Sequence, residues 1–362
     1  VKRSELKVES IKRVVVRGTN WVGDAVMTIP ALRELRRVLP DAHITLATRS
    51  WSEELFRDAD FLDDLLVYER RGNALSSVMR ASREWRGRRF DLAILFQNAF
   101  EAALIAALAR VPARVGYGTD GRSALLTHAL PLPSWHNERH EVFYYLNIIS
   151  ELEKLLRGSS VVLDQEPRFE LRVGGARQLE AVELLKAHGA SMKGPLVALC
   201  PGSTNSRAKR WPGERYAALA DRFVDEMKAD VILVGSAEEM EVSRAVAERM
   251  RRKSIVLTGR TKLAEAVAVL SISDLLVTND TGPAHIAAAL ERPTLVIFGP
   301  TDPTTTRPFS RSAQVIRRPP ECAPCMLRDC PIDHRCLTAI TPDEVFARAS
   351  AMMKRAHTEV AV

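Results

Sequence analysis

Aromatic residues are scarce: Phe, Trp and Tyr make up 6% of the 362 residues. Proteins that hold single-stranded nucleic acid stack its bases on such side chains. No nucleic-acid-binding motif stands out either, so no nucleic-acid partner is expected. Long apolar runs are missing as well. The longest, Phe100 to Val111, carries Glu101 and Arg110 and falls short of the roughly 18–20 residues of a membrane span. The segment Val1 to Ser10 is polar and has no secretion-signal apolar centre, so a cytoplasmic location is the expectation. Five cysteines in such a chain exclude a disulfide scaffold. No repeat at solenoid spacing is visible.

What is present is an ordinary globular balance, with 46% hydrophobic and 27% charged residues. That excludes disorder as the main state, and the length points to two domains. The net charge of +7 calls for an acidic partner: nucleic acid, a phosphorylated substrate or an anionic membrane surface.

Short β-branched runs alternate with helix-length amphipathic stretches. Strands are expected at Arg13–Arg17, Ile44–Thr48, Asp64–Tyr68, Asp91–Phe96 and Arg114–Tyr117. A second set is expected at Leu196–Cys200, Asp230–Val234, Ser254–Leu257, Leu275–Thr278 and Thr294–Phe298. Helices are expected between them, among them Ala25–Leu39, Asn73–Trp85, Val142–Leu156, Glu214–Lys228 and Met240–Arg251. The alternation implies βαβ units and parallel sheets, in two Rossmann-like halves that part near Leu171–Gly175. The boundaries expected are 1–172, 173–340 and a closing helix in 341–362, which Thr341 and Pro342 open.

The first strand ends in "RGTNWVGDA". Gly18 and Gly23 have P-loop spacing, but Asp24 and Ala25 stand where a P-loop has Lys and Ser or Thr. The dinucleotide fingerprint G-x-G-x-x-G is absent too. What remains is a carboxylate, Asp24, at the start of a helix beyond the carboxyl end of a strand. It suits either a general base or a helix cap.

Strand Leu196–Cys200 ends in "PGSTNSRAKRWPGERY". Gly202, the hydroxyls of Ser203 and Thr204, and the cations Lys209 and Arg210 suit phosphate binding at a strand-to-helix turn, or else form a solvated basic loop. Strand Leu275–Thr278 ends in "NDTGPAHIAAAL". Asp280, Thr281 and Gly282 would meet an anion at a helix N-terminus, with His285 one turn inside. A third turn, "VGSAEEME", offers Glu238 or Glu239 for ribose hydroxyls, or merely as solvated first-turn acids.

Taken together, "RGTNWVGDAVMTIPALRELR", "CPGSTNSRAKRWPGERY", "LVGSAEEME" and "VTNDTGPAHIAAAL" resemble the ADP-heptose:lipopolysaccharide heptosyltransferases. The first motif is most similar to the heptosyltransferase II branch. The likeness runs from about Arg13 to Leu337 in the right order. It implies a GT-B fold: two Rossmann-like domains with mainly parallel sheets facing across a cleft, the first binding acceptor and the second the ADP-sugar. It implies inverting direct displacement, with no cofactor needed for catalysis, from ADP-L-glycero-D-manno-heptose to the inner core of lipopolysaccharide.

Carried over motif by motif, Asp24 would be the general base and Lys209 would stabilise the departing diphosphate. Ser203 and Thr204 would contact phosphate, and Asp280, Thr281, Gly282 and His285 would lie against the donor phosphates and heptose. Glu238 or Glu239 would hold the ribose. The partners implied are ADP-heptose, an anionic glycolipid acceptor and the inner face of the inner membrane. The alternatives are a GT-B transferase or epimerase using another nucleotide sugar, and a non-catalytic nucleotide- or nucleic-acid-binding protein.

Arginines crowd the stretch from Arg70 to Arg89, which includes Arg71, Arg83 and Arg86, with Glu84 as its one acid. The resemblance puts them in the acceptor domain, where the guanidinium fork suits phosphate. A solvated helix face is the alternative. Arg114, Arg122 and Arg139 are further acceptor-side candidates. Finally, Cys322, Cys325, Cys330 and Cys336 form C-x₂-C-x₄-C-x₅-C with His334 inside. That set fits structural zinc or reduced thiols packed in a loop, while Cys200 reads as core.

Overall fold

A computed structural model describes residues 6–69 and 72–360. The chain divides into two units, Val1–Phe169 and Glu170–Val362, each built on a six-stranded sheet in which every pairing is parallel.

In the first unit the strands are β1 (Arg13–Arg17), β2 (His43–Thr48), β3 (Asp64–Val67), β4 (Leu92–Leu95), β5 (Ala113–Tyr117) and β6 (His128–Leu130). Their order is β3-β2-β1-β4-β5-β6. Val14, Val15 and Val16 of β1 are wholly buried, because helices cover both faces of a parallel sheet. Trp85, Phe90, Ala103 and Ile105 pack over one face.

The second unit has β7 (Leu196–Cys200), β8 (Asp230–Leu233), β9 (Ile255–Val256), β10 (Leu275–Asn279), β11 (Thr294–Phe298) and β12 (Ala313–Arg317). Their order, β12-β11-β10-β7-β8-β9, is the same arrangement repeated, with β7 in the place of β1. The C-terminal helix Pro342–Val360 packs on the helix Gly213–Met227, where Phe346 lies 5.2 Å from the Phe223 ring. Among the described residues no helix is long and apolar enough to cross a membrane.

Both sheets therefore follow the 3-2-1-4-5-6 order of dinucleotide-binding folds. In such a sheet the order reverses between the first and fourth strands, and ligands bind beyond the carboxyl ends there. The loops at those points follow β1 and β4 in one unit and β7 and β10 in the other.

Two expectations need correction. The single helix Ala25–Leu39 is two helices, Val22–Met27 and Ile29–Val38. Pro30 has no N–H and its ring would collide with the carbonyl one turn back, so the chain breaks at Thr28, whose hydroxyl donates to Ala25 O at 2.6 Å. The edge strands β6 and β12 were not foreseen. β6 is only three residues long, and β12 buries only Ile316 of its five, so neither shows the apolar run that marks a strand.

Candidate active site

In the first unit, Asp24 sits in the first turn of the helix Val22–Met27, beyond the end of β1. Trp21 holds the N-cap position of that helix without a side-chain cap of its own, and Asp24 is the acid of its first turn. Asp24 is half-buried, and its charge acts on Glu141, the first residue of the helix Glu141–Arg157. Burial, with Asp24's charge adding to it, pushes the Glu141 carboxyl up to about 7. At neutral pH the Glu141 carboxyl is therefore close to its midpoint, partly protonated.

The same edge of the sheet carries a polar framework. Arg122 is wholly buried and donates to Tyr117 O at 2.8 Å, to Asn98 Oδ1 at 2.8 Å and to Gln97 O. Gln97 and Asn98 follow β4 and Tyr117 ends β5, so Arg122 fastens the loop after β4 to the end of β5. Asn98 passes the network on, its Nδ2 donating to the Tyr144 hydroxyl at 2.6 Å. Burial lowers the Arg122 pKa, the cost of a cation met mainly by neutral oxygens. Arg139 is exposed and lies 3.9 Å over the Phe143 ring, two residues from Glu141. Sequence reasoning missed Glu141, Arg17 and Arg49. Arg17 closes β1, donating to Ala47 O at 3.2 Å, and Arg49 donates to Asn20 Oδ1 at 3.2 Å. No motif flags them; only strand order brings them to this edge.

The remaining acceptor candidates are not brought there. Helices of a βαβ unit run against their strands, so the last turns of the helix Ala74–Arg88 lie at the amino edge of the sheet. Arg86 donates to Leu108 O, at the end of a neighbouring helix. Arg88 pairs with Asp64, the first residue of β3, at 2.5 Å. Arg83 is exposed on the same helix. Arg114, near the start of β5, is taken up by Leu125 O at 2.6 Å and Val111 O at 2.5 Å. Arg70 and Arg71 lie outside the described residues.

In the second unit the candidates come together. Lys209 Nζ donates to Asp280 Oδ2 at 2.7 Å and to Asp280 O at 3.3 Å. Thr301 donates to the same carboxylate oxygen at 2.8 Å. Asp280 is 7% exposed and Lys209 27%. The pair joins the turn after β7 to the turn after β10. Asn279, wholly buried at the end of β10, makes a second joint. Its Nδ2 donates to Pro201 O at 2.9 Å and to Gly202 O at 3.0 Å. Its Oδ1 accepts from Trp211 N at 3.0 Å and from the Tyr216 hydroxyl at 3.1 Å.

Arg210 bonds Ser203 O at 2.9 Å, so it braces the loop. Ser203 is buried and Thr204 exposed, with Thr204 Oγ1 3.3 Å from Ser236 Oγ. Thr281 is the N-cap of the helix Gly282–Ala289, and His285 is buried in it. The first N–H groups of that helix lack intrahelical partners and carry the positive end of its dipole.

The two glutamates part ways. Glu239 is buried, and its carboxylate accepts from Ser236 N at 2.8 Å in a capping box. It fills the space beside Gly202, where an added Cβ would lie 2.4 Å from Glu239 Cδ. Glu238 is exposed, and its own N–H and the Ser236 hydroxyl hold its pKa below the usual value. Glu238 therefore keeps a carboxylate facing solvent, while that of Glu239 serves the loop.

Cys322, Cys325, Cys330 and Cys336 line one cavity together with His334 and Ala208. Among the described residues no three His, Cys, Asp or Glu side chains stand in coordinating geometry. Cys200 is wholly buried, and burial pushes its thiol up to about 12, which makes it inert core.

Residues 78–335 match the glycosyltransferase family 9 (heptosyltransferase) profile. Lipopolysaccharide heptosyltransferase 2 of Salmonella typhimurium is 30% identical over 315 residues, 84% of this chain and 88% of that protein. The solved structure of Escherichia coli ADP-heptose lipopolysaccharide heptosyltransferase II superposes with a TM-score of 0.81 at 27% identity, covering 95% of this chain and 99% of that one. A family 9 glycosyltransferase from Veillonella parvula gives a TM-score of 0.83 at 25% identity, covering 97% and 99%.

Proposed function

The chain belongs to glycosyltransferase family 9, the heptosyltransferases, and from that membership we propose that it transfers heptose from ADP-L-glycero-D-manno-heptose to the inner core of lipopolysaccharide with inversion. The observation that carries this reading is the placement of two opposite chemistries at the ligand-binding edges of two like sheets. A carboxylate, Asp24, follows β1. A cation, Lys209, is fixed between the turns after β7 and β10.

The first unit takes the acceptor. Asp24 accepts the proton of the acceptor hydroxyl as its oxygen attacks the anomeric carbon. The bond from that carbon to the diphosphate oxygen breaks, and its electron pair leaves with ADP. Deprotonation in the transition state is worth roughly 10²–10⁴-fold.

The second unit takes ADP-heptose. A lysine ammonium has three N–H donors, and Asp280 engages Lys209 through two oxygens. The ammonium is thereby aimed without being consumed. The N-terminus of the helix Gly282–Ala289 adds N–H dipoles for the diphosphate, and Ser203 and Thr204 line the neighbouring turn. Fixed donors of this kind need no reorganisation as charge develops. Glu238, with its carboxylate in solvent, is the better placed of the two glutamates to hold ribose hydroxyls. The acceptor is a lipid-anchored anionic glycan, so the enzyme works at the membrane surface, with Arg139 at the acceptor edge.

The test is mass-spectrometric detection of heptose transfer from ADP-heptose to a core acceptor that already carries one heptose. Protection against thermal unfolding by ADP but not UDP is expected alongside. Absence of transfer, with UDP protecting instead, would mean another nucleotide sugar.

A further inference from the structure

We propose that Arg49 takes an oxyanion of the acceptor, a phosphate or a carboxylate, in a two-pronged grip at the strand edge that carries Asp24. The inference deepens the acceptor reading above and rests on it. Arg49 is the residue after β2 and is half-buried. Two neighbours place its guanidinium. Nε donates to Asn20 Oδ1 at 3.2 Å, and Cζ lies 5.4 Å from the centre of the Tyr68 ring. That ring is 7% exposed, so it offers a fixed face on which a guanidinium stacks. Its hydroxyl donates to Glu101, which holds the ring from the far end. Among the described residues, Nη1 and Nη2 of Arg49 meet no acceptor, and no carboxylate pairs with them. The remaining N–H donors of the fork are thus aimed and unspent.

Other arginines of this edge are differently employed. Arg17 also lies over the Tyr68 ring, at 4.8 Å, but it is buried and donates to Gly18 O and Ala47 O. Arg122 is committed to Tyr117, Gln97 and Asn98. Arg49 keeps its outer nitrogens for something else. Hydrogen bonds between ionised partners are about twice as strong as neutral ones, and the planar fork matches the paired oxygens of a carboxylate or phosphate. Asn20 ties that anion to the chemistry. It stands four residues before Asp24 in the turn after β1, and a stretch of chain that long spans at most about 14 Å. The gripped anion and the attacked hydroxyl therefore belong to one short glycan. Arg49 selects acceptors that carry charge near the point of attack.

The test uses the full chain and a core acceptor that already carries one heptose. The acceptor is offered untreated, stripped of phosphate with hydrogen fluoride, or with its carboxyls reduced to alcohols. Arg49→Gln is expected to raise the KM for the untreated acceptor roughly tenfold, and its calorimetric Kd with it, while the Kd for ADP does not move. Arg49→Lys keeps the charge and loses the fork, and is expected to recover only part of the affinity. On one treated acceptor the native chain and Arg49→Gln are expected to converge, and the treatment that does this identifies the anion as phosphate or carboxylate. A gap that persists on both treated acceptors overturns the inference. So does a KM for the untreated acceptor that stays within about twofold in Arg49→Gln, or an ADP Kd that rises as much as the acceptor's, which would make Arg49 a support of the fold. A native chain that neither binds nor extends the untreated acceptor overturns the acceptor reading, and the inference falls with it. Binding and transfer by the native chain, unaltered in Arg49→Gln, overturn this inference alone.

Discussion

Asp24 and Glu141 place two carboxyl groups within reach of each other's charge in the first unit. Asp24→Asn keeps the shape and removes the proposed base. Turnover is expected to fall by roughly 10²–10⁴-fold with ADP affinity unchanged, as steady-state kinetics and calorimetry would show. Near-native turnover would remove Asp24 from the chemistry. Glu141 makes a prediction about pH. Its carboxyl titrates near 7 when folded against an ordinary 4.5, so the folded chain holds a proton that the unfolded chain has lost between those values. Stability must then fall as pH rises from about 4.5 to 7 and level off above. Glu141→Gln removes that slope. Its stability relative to the native chain is expected to improve by about 1–2 kcal/mol across the window, after discounting for remaining solvent contact. Urea melts at pH 5 and pH 8 measure the difference, and parallel pH profiles for the two proteins would sink it. Asp24 was legible in the sequence because it breaks a P-loop pattern. Glu141 was not, because an acid opening a helix is commonplace and its burial is a tertiary fact.

The turns beyond β7 and β10 behave as one element, held at Asn279 and at Lys209–Asp280. Asn279→Ala leaves the Trp211 N–H without its acceptor inside the core and the Tyr216 hydroxyl with only Cys200 O at 3.3 Å. The expected cost is about 2–3 kcal/mol, read by denaturant unfolding; a loss under 0.5 kcal/mol would mean that other groups replace it. Gly202→Ala places a methyl where the Glu239 carboxylate lies. Glu239 must then leave the Ser236 N–H, and ADP affinity is expected to drop several-fold with the melting temperature less affected. Unchanged affinity would separate the capping box from donor binding. Central strands were readable within a residue or two because continuous burial demands continuous apolar sequence. The break at Thr28 was hidden, though Pro30 marks it, because the apolar spacing runs on through both helices. The arginine-rich helix was read for charge alone; its direction, fixed by the parallel sheet, carries its last turns to the edge opposite Asp24.

At the scale of the molecule, the repeated strand order was the feature least visible in sequence. Alternation predicts parallel sheets, yet only pairing shows that β1 lies between β2 and β4, and β7 between β8 and β10. Each unit also encloses its own core, and the closing helix adds Val345, Phe346, Ala349, Met352 and Met353 to that of the second. Residues 170–362 produced alone are therefore expected to unfold cooperatively and to bind ADP while transferring nothing. Calorimetric titration checks this, and an unfolded fragment would show that its sheet depends on the first unit.

The repeated order also bears on how such a chain diversifies. Within each half, residues that hold the sheet together lie along the strands, while those given to ligands crowd into a few turns at one edge. Mutations can accumulate in the turns of one half without disturbing the fold of either. Descendants of one ancestor could thus exchange the glycan they extend while inheriting the same activated sugar, or the reverse, and the two preferences would leave separate evolutionary records in one gene.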